Sequence, residues 1–363
     1  MKSLILAPLF ALGFAVSPAT AQSLEQMAGQ MIVMGFQGDG AGDVSVRAVA
    51  GMIERSEIGG VLYLRGNVAS LRAVGEMNAL FAAAAPDAAL PPLIALDQEG
   101  GQVERLTRDV GFEELPSAER IAAGNSTAQA QAIYTGLAER LAALGFNVNF
   151  GPVVDVNTNP DNPIIARYGR AFSPDPDAVA RYAAAFIDAH HRAGLLTALK
   201  HFPGHGSSTG DSHEGFVDIT DTWSESELEP FRALIAAGEA DMVMTGHLVR
   251  RSSGDGELPA SLSVAAIDGE LRGRLGFEGV VVSDDMEMGA IKDHFSRAEA
   301  VLAAVRAGTD ILLSSAAADP EIGPAREIRA ILVAEAGRDP AFRARIEESY
   351  VRILALKARL TGQ

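Results

Sequence analysis

Pro174–Gly206 reads PDPDAVARYAAAFIDAHHRAGLLTALKHFPGHG. Pro-Asp-Pro-Asp is a helix start signal, and the Ala-rich stretch Asp177–Ala193 that follows is predicted as a helix closed by Gly194. Leu195–Leu199 is a short run apolar on both faces, as expected of a strand in a parallel sheet covered on each side. The run then breaks into Lys200, His201, a Pro-Gly turn and His205. A helix, a buried strand and a polar loop in that order make one unit of an α/β fold.

The same unit recurs along the chain. Further strands are predicted at Met31–Gly35, Gly60–Leu64, Leu93–Leu96, Asn147–Val156, Met242–Met244, Val280–Ser283 and Asp310–Leu313. Helices are predicted at Ala128–Leu144, Ser224–Gly238, Ser296–Gly308 and Pro340–Leu360, and generally between the strands. Eight β–α units in series point to an α/β protein built as a single (β/α)8 TIM barrel. A doubly wound open sheet is the structural competitor, but no G-x-G-x-x-G opens a helix after the first strand. No Pro/Gly/Ser linker divides the chain, so one domain over 22–363 is expected.

Composition narrows the function. The 363 residues carry 47 Asp+Glu against 30 Lys+Arg, a formal charge of -17. That argues against a nucleic-acid partner, which needs a basic footprint, and against docking on anionic lipid. There is no Cys, which removes disulfides, thiolate metal sites and thiol nucleophiles. Residues 1–21, MKSLILAPLFALGFAVSPATA, run from a basic start through an apolar stretch to Ala19-Thr20-Ala21. They have the form of a signal peptide, so a periplasmic or secreted protein without stable membrane insertion is expected.

In a barrel, chemistry gathers where strands end. Here those positions carry Asp97 and Glu99, Asp155, Lys200 with His201 and His205, His247, and Asp284 with Asp285. The densest stretch is Lys200–His213, KHFPGHGSSTGDSH. Three readings of it compete. As a metal site it would use His201, His205, Asp211 and His213, although Pro203, Gly204 and Gly206 forbid the helix on which an H-x-x-x-H pair shares a face. As a structural loop it would use His205 to hold the turn through backbone hydrogen bonds. As an acid/base device it would use Asp211 and His213. In an extended segment their side chains point the same way, so the carboxylate can fix one ring nitrogen and leave the other to exchange a proton.

A carboxylate opposite a proton donor is the arrangement for retaining glycoside hydrolysis. Val280–Asp285, VVVSDD, supplies two candidates. Strand alternation puts Asp284 and Asp285 on opposite faces, so only one is expected to face the pocket, and the Val run does not say which.

These residues resemble glycoside hydrolase family 3, in its bacterial β-N-acetylhexosaminidase branch. The matching blocks are DQEGGQVERL at Asp97–Leu106, NPIIARYGRAFSPDP at Asn162–Pro176, KHFPGHGSSTGDSH at Lys200–His213 and LGFEGVVVSDDMEMGAI at Leu275–Ile291. The resemblance implies a TIM barrel and a covalent glycosyl-enzyme, with Asp284 as nucleophile, His213 as general acid/base and Asp211 as its partner. It places sugar binding at Asp97, Arg105, Arg170, Lys200 and His201. It implies no metal or organic cofactor, and a carbohydrate partner bearing terminal N-acetylglucosamine, drawn from cell-wall fragments or chitooligosaccharides. Two departures stand out. The familiar enzymes of this branch are cytosolic. The loop also continues after His213 as Glu214-Gly215-Phe216-Val217-Asp218 in place of an apolar-Pro sequence, which leaves the leaving-group site open. A sugar-binding barrel without catalysis and a metal-dependent hydrolase remain the alternatives.

Overall fold

The computed structural model describes residues 22–87, 90–251, 254–317 and 323–361. The expected signal peptide, residues 1–21, lies outside them. Among the described residues there are ten strands: β1 Ile32–Gly35, β2 Gly60–Leu62, β3 Leu93–Leu96, β4 Val148–Asn149, β5 Leu196–Phe202, β6 Val217–Asp218, β7 Met242–Thr245, β8 Leu248–Val249, β9 Val280–Ser283 and β10 Leu312–Ala317. Eight form one parallel sheet in the order β10-β1-β2-β3-β4-β5-β7-β9. A parallel bridge between Val282 and Ile311 joins the two ends, and Ser283 N–H donates to Ile311 O at 2.9 Å. The sheet is thereby a (β/α)8 barrel, as the alternation of strands and helices predicts. The short β6 and β8 pair with each other outside it.

β1, β2, β3, β7 and β9 are buried along their whole length. Helices cover one side and side chains fill the other, which is why these runs are apolar without alternation. The helices start where their caps dictate. Ser126 accepts from Gln129 N–H while the Gln129 side chain accepts from Ser126 N–H, opening the helix Thr127–Ala143. Ser296 and Glu299 do the same for Arg297–Ala307, which ends on Gly308 at φ +117°. Asp175 caps Pro176–Arg192, with proline at its first position. Predicted ends here are right to about a residue.

Some elements differ from expectation. The run Asn147–Val156 pairs as a strand only at Val148–Asn149, with one further bridge from Val153 to Lys200. Pro152 within it has no N–H to donate. β5 runs on to Phe202, so Lys200 and His201 sit on the strand and not in the loop. The predicted helix Ser224–Gly238 enters through a 3₁₀ turn, Glu225–Leu228, before Glu229–Ala236. The connection to β9 includes a π-helical segment, Ala265–Arg274, that no sequence signal announced. Among the described residues, no helix is long and apolar enough to cross a membrane.

Candidate active site

A cavity of about 380 Å³ opens at the C-terminal ends of the barrel strands, within the size range of small-molecule sites. Its walls include Asp97, Arg105, Arg170, Lys200, His201, His213 and Asp284, seven of the eight residues to which the family resemblance gives a role. The eighth, Asp211, is bonded to His213. Leu64, Ile164, Met244, Met288 and Leu313 give the cavity an apolar component.

One wall is a lattice of ion pairs. Asp97 follows β3 and accepts from Lys200 Nζ at 2.8 Å and Arg105 Nη2 at 2.9 Å. Glu99 takes Arg170 with both oxygens, at 2.9 and 2.8 Å, and Lys200 Nζ at 2.6 Å. Lys200 is 2% exposed and Arg170 8%. Burial alone would raise the carboxyl pKa values. The Lys200 and Arg105 charges at Asp97, and the Arg170 and Lys200 charges at Glu99, overcome it and hold both carboxyls below their usual range. Burial likewise disfavours the Lys200 ammonium, yet Asp97 and Glu99 raise its pKa. The wall therefore presents fixed charges whose remaining donors and acceptors suit the hydroxyls of a sugar.

Glu99 was not among the sugar-site residues singled out in the sequence, and its place two residues after Asp97 was the signal that could have found it. Side chains at i and i+2 of an extended chain share a face. Asp155, fully buried, braces His201: its Oδ2 lies 2.7 Å from His201 Nδ1, and its Oδ1 accepts His201 N–H at 3.1 Å. His201 Nε2 lies 3.4 Å from Arg170 Nη2.

Asp284 stands just beyond β9, its N–H donated to Thr245 O at 3.0 Å and its Oδ1 accepting Asp285 N–H at 2.8 Å. Burial opposes its ionisation, but the imidazoles of His201, His247 and His213 pull its pKa down to about 2. Asp285 also lines the cavity, contrary to the expectation that only one of the pair would. β9 ends at Ser283, so strand alternation no longer governs either residue. Asp285 instead accepts N–H groups from Ser315 at 2.8 Å and Glu287 at 3.1 Å, and burial raises its pKa. His247 is buried, with Nδ1 2.7 Å from Ser261 Oγ and Nε2 3.0 Å from Asp285 O.

Asp211 and His213 are close, but not through an extended segment. Asp211 Oδ1 accepts both the His213 N–H at 2.9 Å and the His213 Nδ1 hydrogen at 2.7 Å, and Glu214 N–H returns to Asp211 O at 3.0 Å. This is an Asx turn, which lets a short carboxylate meet the backbone two residues on. Among the described residues, none hydrogen-bonds to His213 Nε2, and the side chain is 58% exposed.

His205 holds the turn through its backbone as expected, its N–H donating to Asp155 Oδ1 at 2.7 Å and its carbonyl accepting from Asn162 Nδ2 at 2.8 Å, and its ring adds to the hold: Nδ1 lies 2.7 Å from Ser208 Oγ and Nε2 3.3 Å from Ser212 Oγ. The four residues of the metal reading thus do not converge. His201 is engaged with Asp155, His205 with two serines, and Asp211 with His213. Among the described residues, no group of three or more His, Asp or Glu is placed to hold a metal ion.

A family model described as the glycosyl hydrolase family 3 N-terminal domain matches residues 23–356. The chain is 36% identical over 279 residues to beta-hexosaminidase A of Pseudoalteromonas piscicida, across 72% of this chain and 46% of that protein. It thus spans about half the length of that relative. The structure of a glycoside hydrolase family 3 β-N-acetylglucosaminidase from a Paenibacillus species superposes with a TM-score of 0.83 at 35% identity, covering 94% of this chain and 63% of that one. The β-N-acetylhexosaminidase of Beutenbergia cavernae gives 0.80 at 35% identity, covering 93% and 98%. With a match that takes in the whole barrel and its polar rim, the chain belongs to glycosyl hydrolase family 3 through that family's N-terminal domain.

Proposed function

We propose that the protein is an exo-acting, retaining β-N-acetylhexosaminidase that removes terminal, non-reducing β-linked N-acetylglucosamine. The observation that carries this reading is the shared cavity: an ionised Asp284 and the Asp211-bonded His213 line the same space as the Asp97–Glu99–Arg170–Lys200 lattice. The relatives named as β-hexosaminidases and β-N-acetylglucosaminidases support the substrate class.

A terminal sugar enters with its hydroxyls toward Asp97, Arg105, Arg170, Lys200 and His201. Asp284 attacks C1 while His213 delivers its Nε2 proton to the leaving oxygen. The C1–O bond breaks, an ester to Asp284 forms, and the aglycone departs as an alcohol. His213, now without that proton, takes one from water as the water attacks C1. Asp284 leaves as carboxylate, and two inversions restore the β-configuration. Asp211, bonded at Nδ1, keeps the ring orientation and leaves Nε2 to face the leaving oxygen.

Residues 1–21 direct export on this reading, and the substrates are chitooligosaccharides or cell-wall fragments reached outside the cytoplasm. The test compares aryl β-N-acetylglucosaminide with aryl β-glucoside, using wild type and Asp284→Ala. Preference for the N-acetyl substrate, abolished by the substitution, is the expected result. A folded protein that turns over neither would overturn the reading.

A further inference from the structure

We propose that Ser212 is a positioning residue for the acid/base pair, its hydroxyl held by the buried His205 imidazole so that Asp211 and His213 stay at the mouth of the cavity. The inference rests on the role given above to His213.

Asp211-Ser212-His213 is a turn with its middle residue turned inward. Ser212 is 2% exposed, against 58% for the His213 side chain. Alanine would fill such a position with less desolvation, so the hydroxyl needs a reason. Within the described structure its side-chain partner is His205 Nε2, at 3.3 Å.

His205 is fixed from every side. Its ring Nδ1 lies 2.7 Å from Ser208 Oγ. That oxygen also accepts from Asn162 Nδ2 at 3.0 Å and lies 3.1 Å from the His205 carbonyl and 3.3 Å from the Gly210 carbonyl. Ser208 has one hydrogen to give. Donated to a carbonyl, it leaves the Nδ1 hydrogen to Ser208 Oγ and the Nε2 lone pair to the Ser212 hydroxyl. A neutral ring is required for this division, and burial pushes His205 down to about 4.

The hold extends to the sugar-binding wall. Asp155 Oδ1 accepts both His201 N–H at 3.1 Å and His205 N–H at 2.7 Å. One buried carboxylate thus sets the backbone of a sugar-binding imidazole and of the residue that grips Ser212. From the nucleophile's side, Ala290 N–H donates to Ser212 O at 3.3 Å and Gly289 N–H to His213 O at 3.2 Å. These two bonds seat the turn through its backbone, and among the described residues the Ser212 hydroxyl ties it to the wall through a side chain.

The test reads acid catalysis apart from binding and folding. Protonation matters for a sugar leaving group and little for a dinitrophenolate, which departs without a proton. With Ser212→Ala, kcat/KM on diacetylchitobiose is expected to fall about 10- to 100-fold, and on dinitrophenyl N-acetyl-β-glucosaminide less than about threefold. Adding Ser212→Ala to His213→Ala is expected to cost nothing further, because Ser212 acts through His213. His205→Gln disturbs the same contact from its other end and is expected to show the same selective loss, which keeps the test valid if one variant folds poorly. Equal losses on both substrates, or losses that add in the double variant, would overturn the proposal. A wild type that cleaves neither substrate would contradict the hydrolase reading beneath it.

Discussion

A carboxylate that attacks carbon must be ionised at the pH of reaction. Asp284 meets this condition through imidazoles, which outweigh its burial and bring it to about 2. It follows that, with Asp284 as the proposed nucleophile, kcat/KM carries no acid limb from it above about pH 3. A pH–rate profile checks this, and Asp284→Asn should lower kcat by at least about 10³-fold at every pH. Lys200 offers a second test at this scale. Its ammonium is buried between Asp97 and Glu99, so Lys200→Ala leaves two carboxylates in low dielectric with less cation. A loss of about 3–5 kcal/mol in denaturant unfolding is expected, with a higher KM. Residues of this kind were legible because they came in a series, at the ends of five consecutive barrel strands. Glu99, Asp155 and His247 were visible at strand ends but not their jobs, since a carboxylate that clamps Arg170 reads in sequence like one that caps a helix.

At the scale of elements, the turn after β5 is decided by close approach. A Cβ on Gly206 would sit 1.7 Å from the Val156 carbonyl oxygen, so Gly206→Ala should destabilise the protein by about 1–3 kcal/mol or more and lower kcat. The same turn rests on Glu227, a fully buried carboxyl that accepts Gly206 N–H at 2.9 Å. Burial raises its pKa to about 7. The folded state therefore binds the proton more tightly than the unfolded state, and stability from this group is full below about pH 4 and lost as pH rises through about 7. Glu227→Gln, which keeps an acceptor, should raise unfolding stability at pH 8 by up to roughly 3 kcal/mol and change nothing at pH 4. Urea unfolding at the two pH values decides it. Sequence patterns located β5 but not its extent, because Lys200 and His201 look like loop residues until the ion-pair lattice that buries them is seen. The Asx turn at Asp211 was hidden for a related reason: an i, i+2 pair suits an extended chain and a turn alike.

At the scale of the molecule, the barrel was the most legible feature. Eight apolar runs separated by capped helices leave few alternatives, and closure through Val282 and Ile311 follows from strand number and helix cover. What sequence could not supply was convergence. Residues from Asp97 to Asp284 meet in one cavity only because the strands close into a ring, a consequence of topology rather than local pattern. That convergence is also what makes the chemistry testable as a whole. A fluorinated N-acetylglucosaminyl fluoride combines a good leaving group with a slowed second step, so a covalent ester should accumulate. Mass spectrometry of peptides from the treated protein should find the sugar on Asp284. A label on another residue, or turnover with inversion and no label, would contradict the assignment of Asp284 as the nucleophile of a retaining hydrolase.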